Sequence, residues 1–164
     1  MRLYHGSTLV VDTPRIIRAE QGRDFGAGFY TTGIKEQAIR WAKRKALMEK
    51  RRNNAAKAVV SIYEFDEVHY QDLHVIHFPE PSADWLGMVC ACRSNKDYVH
   101  GYDIVTGKIA NDNVGETVSF VVQGIMRPED ALERLKFERI NDQICFATEK
   151  ALSYINYVDF EEPS

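Results

Sequence analysis

Apolar residues along the chain change period from segment to segment, and each change outlines an element. Arg2 to His5 is a short strand that stops at Gly6-Ser7. Ile34, Ala38, Trp41, Ala42 and Ala46 recur at helical spacing, predicting a helix from about Ile34 into the basic stretch near Arg52. Ala58 to Phe65 (AVVSIYEF) is rich in β-branched and aromatic residues and predicts a central strand. Ser82 is an N-cap for a helix with Trp85, Met88, Val89 and Cys92 on one face, a pattern that suits core packing. Tyr102 to Val105 reads as a short strand. Val114 to Gln123 fits either type: positions 114, 118, 121 and 122 make a helical face and Gly124 a stop, whereas the valines favour a strand. Helix is the preferred reading. Pro128-Glu129-Asp130 opens another helix, with proline in the first turn and acids near the positive end of the dipole. Gln143 to Ala147 is a strand, Thr148 caps a short helix, and Tyr154 to Phe160 is a final strand before a frayed acidic tail, 161–164. Strands and helices mix without regular βαβ alternation, so the class is α+β, in one domain over residues 1–160.

Composition narrows the function classes. The 164 residues suffice for one core. With 21 basic and 24 acidic side chains the net charge is −3, which excludes a bulk basic surface but leaves room for a local one. Three cysteines cannot build a disulfide framework, so reduced thiols and a cytoplasmic setting are expected. No apolar run approaches the roughly 20 residues of a membrane span. There is no Walker loop and no strand-linked GxGxxG, which disfavours P-loop and Rossmann nucleotide sites.

Three segments carry candidate chemistry. Tyr4-His5-Gly6-Ser7 ends the opening strand with an imidazole beside a backbone that a planar ligand can approach closely. The plain alternative is a strand-end histidine at a turn. Asp24-Phe25-Gly26-Ala27-Gly28-Phe29-Tyr30 places glycines ahead of an aromatic pair, so the loop can hug a ligand and Tyr30 can stack on a ring. Its alternative is a turn with core aromatics. Asn141-Asp142-Gln143-Ile144-Cys145-Phe146 runs from polar into apolar residues, with Gln143 at the strand mouth.

In order and spacing, the three together resemble the ADP-ribosyltransferase fold, in the branch with a His–Tyr–Glu constellation typified by diphtheria toxin and the poly(ADP-ribose) polymerases. His5-Gly6 matches the first element and Gly26-Ala27-Gly28-Phe29-Tyr30 the second. Trp41 lies on the following helix, where a second aromatic often faces the ring, and Gln143 falls where the catalytic Glu would be. Through DFGAGFYTT, YDIVTGKIANDNV and NDQICFATEKAL, the chain from about Leu3 to Tyr157 also looks like a bacterial family of uncharacterised small domains grouped with these transferases. The resemblance implies a split β-sandwich with flanking helices, NAD as co-substrate and no metal. It also implies an NAD site of His5, Gly6, Ser7, Asp24, Phe25, Gly26, Gly28, Tyr30 and Trp41. Nicotinamide would lie between Tyr30 and Trp41, its amide bonded to the Gly6 backbone, and His5, Tyr30 and Gln143 would be the catalytic positions.

Gln143 departs from the pattern, because an amide stabilises a developing cation less than a carboxylate does. Four outcomes follow: a slower mono-transferase or toxin-like relative acting on a protein or nucleic acid, an enzyme that recruits another acid, an NAD glycohydrolase, or a silent module binding NAD, ADP-ribose or nucleic acid. Asp103, Asn111, Asp112 and Asn141 are the auxiliary candidates. The run Arg40 to Arg52 holds seven basic residues and one acid, and reads as a solvated helix face or as a docking surface for the acceptor. His69, His74 and His77 lie in or beside an extended stretch that does not gather them as zinc ligands.

Overall fold

The fold is a computed structural model that describes residues 1–18, 23–109, 112–136 and 141–164. In chain order the elements are β1 (Arg2–Ser7), β2 (Phe29–Thr31), α1 (Lys35–Glu49), β3 (Val59–Phe65), β4 (Val75–Phe78), α2 (Ala83–Ser94), β5 (Ile104–Ile109), α3 (Asp112–Val122), α4 (Pro128–Leu135), β6 (Asn141–Phe146), α5 (Glu149–Leu152) and β7 (Ile155–Glu161). A 3-10 turn over Glu67–Asp72 links β3 to β4. The class is α+β, in two sheets.

The β-branched run Val59–Phe65 takes the centre of a three-stranded antiparallel sheet, ordered β1-β3-β7. The second sheet, ordered β2-β6-β5-β4, is antiparallel except for the parallel pair β4–β5. The sheets meet at one seam, where Tyr4 and Thr32 exchange two backbone hydrogen bonds of 2.9 Å. Leu3, Phe29, Tyr63, Phe65, Ile104, Phe146 and Ile155 pack together in one cluster. Tyr30, Val105 and Cys145, from alternate positions of the second sheet, pack in another against Trp85, Leu86 and Val89 of α2, Val114 and Val118 of α3, and Leu135 of α4. The period-2 pattern of β6 thus feeds both faces of its sheet.

α1 lies on β1. Its buried side chains are Gln37, Ala38, Ala42 and Ala46. A Cβ on Gly6 would fall 2.2 Å from the Ala38 carbonyl oxygen and 2.8 Å from the Ala42 amide nitrogen, so only glycine lets this helix sit so close. That explains why β1 does not stop at Gly6-Ser7: both residues stay in register, opposite Val60 and Val59.

Other boundaries also differ from expectation. α1 ends at Glu49, and the last basic residues, Lys50 to Arg52, form a turn. The ambiguous 114–123 segment is helical, burying Val114, Thr117 and Val118 at the spacing of one helix face. β5 begins at Ile104 and runs to Ile109, later than the expected 102–105. β7 reaches into the acidic tail: Glu161 pairs with Lys35 at 2.7 Å, and Glu162 with Lys57 at 3.3 Å. No helix among the described residues is long and apolar enough to cross a membrane.

Candidate functional site

His5 sits on β1 at the seam. Its Nδ1 donates to the Tyr30 carbonyl at 2.7 Å, which makes Nε2 the unprotonated nitrogen of a neutral ring. The ring packs on Phe29, centroids 4.5 Å apart. Burial, reinforced by the positive charges of Lys45 and Arg23, lowers its pKa to about 4, although the bond to Tyr30 opposes the shift.

Tyr30 follows on β2 and projects into the other cluster. Its hydroxyl donates to the Gly26 carbonyl at 2.5 Å and accepts from the Phe25 amide at 3.2 Å, so the phenol ties the glycine loop to the strand that follows it. Burial, with Cys145 alongside, pushes its pKa far above the ordinary value. The Arg23 guanidinium carbon stands 5.0 Å from the ring centroid. Gly28 is held against β6, where a Cβ would meet Cys145 Sγ at 2.5 Å. Asp24 is buried and bonded to Arg93 of α2, its Oδ1 lying 2.5 Å from one guanidinium nitrogen and 2.8 Å from Nε. This carboxylate anchors the loop to α2. Trp41 is half-buried and packs against the cluster that holds Tyr30. Lys45, exposed along its stem, turns its ammonium back to donate to the Gly6 carbonyl at 2.8 Å. Crowding around that ammonium, with Arg23 nearby, lowers its pKa to about 8.

The structure therefore brings His5, Gly6 and Tyr30 together at the seam, with Trp41 against the Tyr30 cluster. His5 and Tyr30 meet through ring and main chain, while their side chains enter different clusters. Gln143, 5% exposed, lies on the same face of β6 as Cys145, the ladder partner of Tyr30, and two residues further along, a step of about 7 Å. It borders a groove of about 770 Å³ together with Tyr70, His77, Thr106, Lys108 and Asp142. Phe25 and Gly26 border a different groove, of about 660 Å³, with Tyr98, His100 and Tyr102.

Of the auxiliary candidates, Asp103 lies just before β5 and accepts from the Thr148 hydroxyl at 2.7 Å and the His74 amide at 2.8 Å. Burial alone would raise its pKa, but these bonds and the charge of Lys150 outweigh it and hold the carboxyl below the ordinary value. Its role there is to tie β4, β5 and α5. Asn111 lies outside the described residues, Asp112 opens α3, and Asn141 opens β6 in register with Ile109.

Sequence reasoning passed over Asp142. Its carboxylate, half exposed, pairs with Lys108 at 3.1 Å in the groove that Gln143 borders, and its carbonyl accepts from Gln37 Nε2 at 2.5 Å. Adjacency to Gln143 in NDQICF was the available signal. It also passed over Arg23 and Lys45, which only the fold brings to the seam. No group of three or more His, Cys, Asp or Glu among the described residues could hold a metal ion.

Comparison with protein families matches residues 1–157 to a family described as "Protein of unknown function (DUF3990)". The chain belongs to that family. The match covers every element up to the first three residues of β7, so the seam and the groove are parts of the family's own domain. No curated protein and no solved structure matches the chain.

Proposed function

We propose that the protein is an NAD-dependent mono-ADP-ribosyltransferase of the cytoplasm, akin to the toxins of that fold. The observation that carries this reading is the seam, where His5 on β1 is bonded to the main chain of Tyr30 on β2. Gly6 lies beside it under α1, and Trp41 packs against the cluster that holds Tyr30. A division into two sheets and the order of the three motifs also favour it.

In this reading nicotinamide enters between Tyr30 and Trp41, and its amide bonds to the Gly6 backbone. The C1′–N bond of the ribose breaks, and nicotinamide leaves with the electron pair. An acceptor oxygen or nitrogen forms the new bond to C1′, and its proton passes to solvent. Water exclusion and orientation then supply much of the acceleration. The acceptor is a protein or a nucleic acid. Exposed Lys43, Lys50, Arg51 and Arg52 at the far end of α1 offer it a basic surface.

A second reading is a module that binds NAD or ADP-ribose without turnover. The amide of Gln143 favours it, since an amide stabilises a developing cation less than a carboxylate does. Incubation with NAD labelled in both halves separates the readings. Nicotinamide release with label on a macromolecule indicates transfer, release without such label indicates hydrolysis, and binding without release indicates the silent module. Tyr30→Ala is expected to weaken NAD binding at least tenfold through loss of the stacking face, and unchanged affinity counts against the site. Gln143→Glu is expected to raise turnover. A fall would assign Gln143 to the acceptor.

A further inference from the structure

We infer that the groove of about 660 Å³ bordered by Phe25 and Gly26 binds single-stranded nucleic acid, with a base laid on Tyr98, His100 and Tyr102 and the neighbouring phosphates at Arg18 and Lys96. The inference goes beyond the NAD reading and does not rest on it.

His100 decides what the groove offers. Its Nε2 donates to the Phe25 carbonyl at 3.1 Å, and its Nδ1 accepts from the Tyr102 amide at 3.0 Å. Burial lowers its pKa against the pull of the bond to Phe25, so the ring is neutral at pH 7. Both in-plane nitrogens are thus spent, and what remains for a ligand is the face of the ring. Tyr102 stands beside it, centroids 5.8 Å apart and planes inclined by only 32°. The core pairs Phe29–Tyr63 and Phe65–Phe146 meet edge to face, at 82° and 73°. His100 and Tyr102 are closer to one continuous platform. Tyr98, on the same groove, is 40% exposed and belongs to none of the apolar clusters, so core packing does not account for its ring.

Charge on the rim narrows the ligand class. Arg18 and Lys96 line the groove, both exposed. Neither makes an ion pair among the described residues, whereas Lys35, Lys57, Arg93 and Lys108 all do. Asp97 is the one acid among the described lining residues, so the lining is net positive in a chain whose net charge is −3. Ring faces beside cations match a chain in which planar bases alternate with anionic phosphates. A duplex does not fit, because its bases stack on one another and keep their faces covered. An acidic peptide would meet the cations and leave the rings unused. The groove at the basic end of α1, lined by Lys43, Leu47 and Lys50, has no aromatic residue among its described lining, so it can attract a strand but not stack a base.

Fluorescence anisotropy at low salt tests this with a labelled octamer of deoxyadenylate, the same octamer made abasic, and AMP. The intact octamer is expected to bind about fivefold or more tighter than the abasic one. Tyr98→Ala is expected to erase that difference while leaving the abasic octamer within about twofold, and Tyr98→Phe to keep it. Lys96→Met and Arg18→Met are each expected to weaken both octamers and flatten the fall of affinity with salt. Should Tyr98→Ala fail to fold by circular dichroism, Tyr98→Leu carries the same test. No binding, equal affinity for the intact and abasic octamers, or AMP binding as tightly as the octamer overturns the inference. Binding that falls with Lys50→Met and ignores Tyr98→Ala moves the strand to α1 and overturns it as well. Displacement of the octamer by NAD, with Tyr98→Ala weakening NAD equally, gives the groove to the dinucleotide and has the same consequence. Nicotinamide release from NAD is measured separately, so the NAD reading stands or falls on its own result.

Discussion

His5 couples the seam to solution pH. Its pKa falls from the ordinary 6.5 to about 4 in the fold, so between those values the unfolded chain binds a proton that the folded chain excludes. Stability is therefore complete above about pH 6.5 and falls as the pH drops toward 4. At about 1.4 kcal/mol per unit, the loss is roughly 2–3 kcal/mol. Urea midpoints measured from pH 7 to pH 4 should fall in the wild type and lose most of that slope in His5→Asn. A parallel slope in the variant would move the effect to other groups. The Tyr30 hydroxyl works on the same scale. With Gly26 and Phe25 as its partners, it serves the loop.

Among the elements, the loop before β2 is held from two sides, by Tyr30 and by Arg93 of α2. Asp24 is 7% exposed and the Arg93 side chain 26%, so this pair is better shielded than the exposed ion pairs elsewhere, such as Lys57 with Glu162. Arg93→Met removes two charge-assisted bonds and is expected to cost about 1.5–3 kcal/mol. Amide exchange in residues 23–28 should rise with it, while β3 stays protected. Uniform loss of protection across the chain would mean that the pair supports the whole fold. α1 is the other support of the site, since it packs on Gly6, carries Trp41 against the cluster that holds Tyr30, returns Lys45 to β1 and bonds through Gln37 to the start of β6.

At the scale of the molecule, the two clusters share one sheet. β6 places Cys145 in the helix-covered cluster and Phe146 in the other. Neither cluster can lose its packing without disturbing the same strand, so unfolding is expected in a single step. Phe146→Ala should cost roughly 3–5 kcal/mol. It should lower the midpoint of the near-ultraviolet signal from Trp85, which lies in the opposite cluster, by as much as the far-ultraviolet signal. Separate midpoints for the two signals would refute the shared-sheet account.

Much of the secondary structure was legible because local chemistry repeats with a period. AVVSIYEF, the Ser82 and Thr148 caps and the Pro128 helix start each point to one element, and each forms. The class α+β and the nomination of His5, Gly6, Tyr30 and Gln143 also came from order along the chain. Boundaries set by distant partners were not legible. β1 runs through Gly6 only because α1 descends on it, and β7 enters the acidic tail beside Lys35. The assembly of the site is likewise tertiary. Whether a carboxylate is spent, as Asp24 is on Arg93, depends on which remote strand or helix lies opposite. Periodicity reports which face of an element is apolar, whereas electrostatic pairing depends on distances between elements, and only the packed chain sets those.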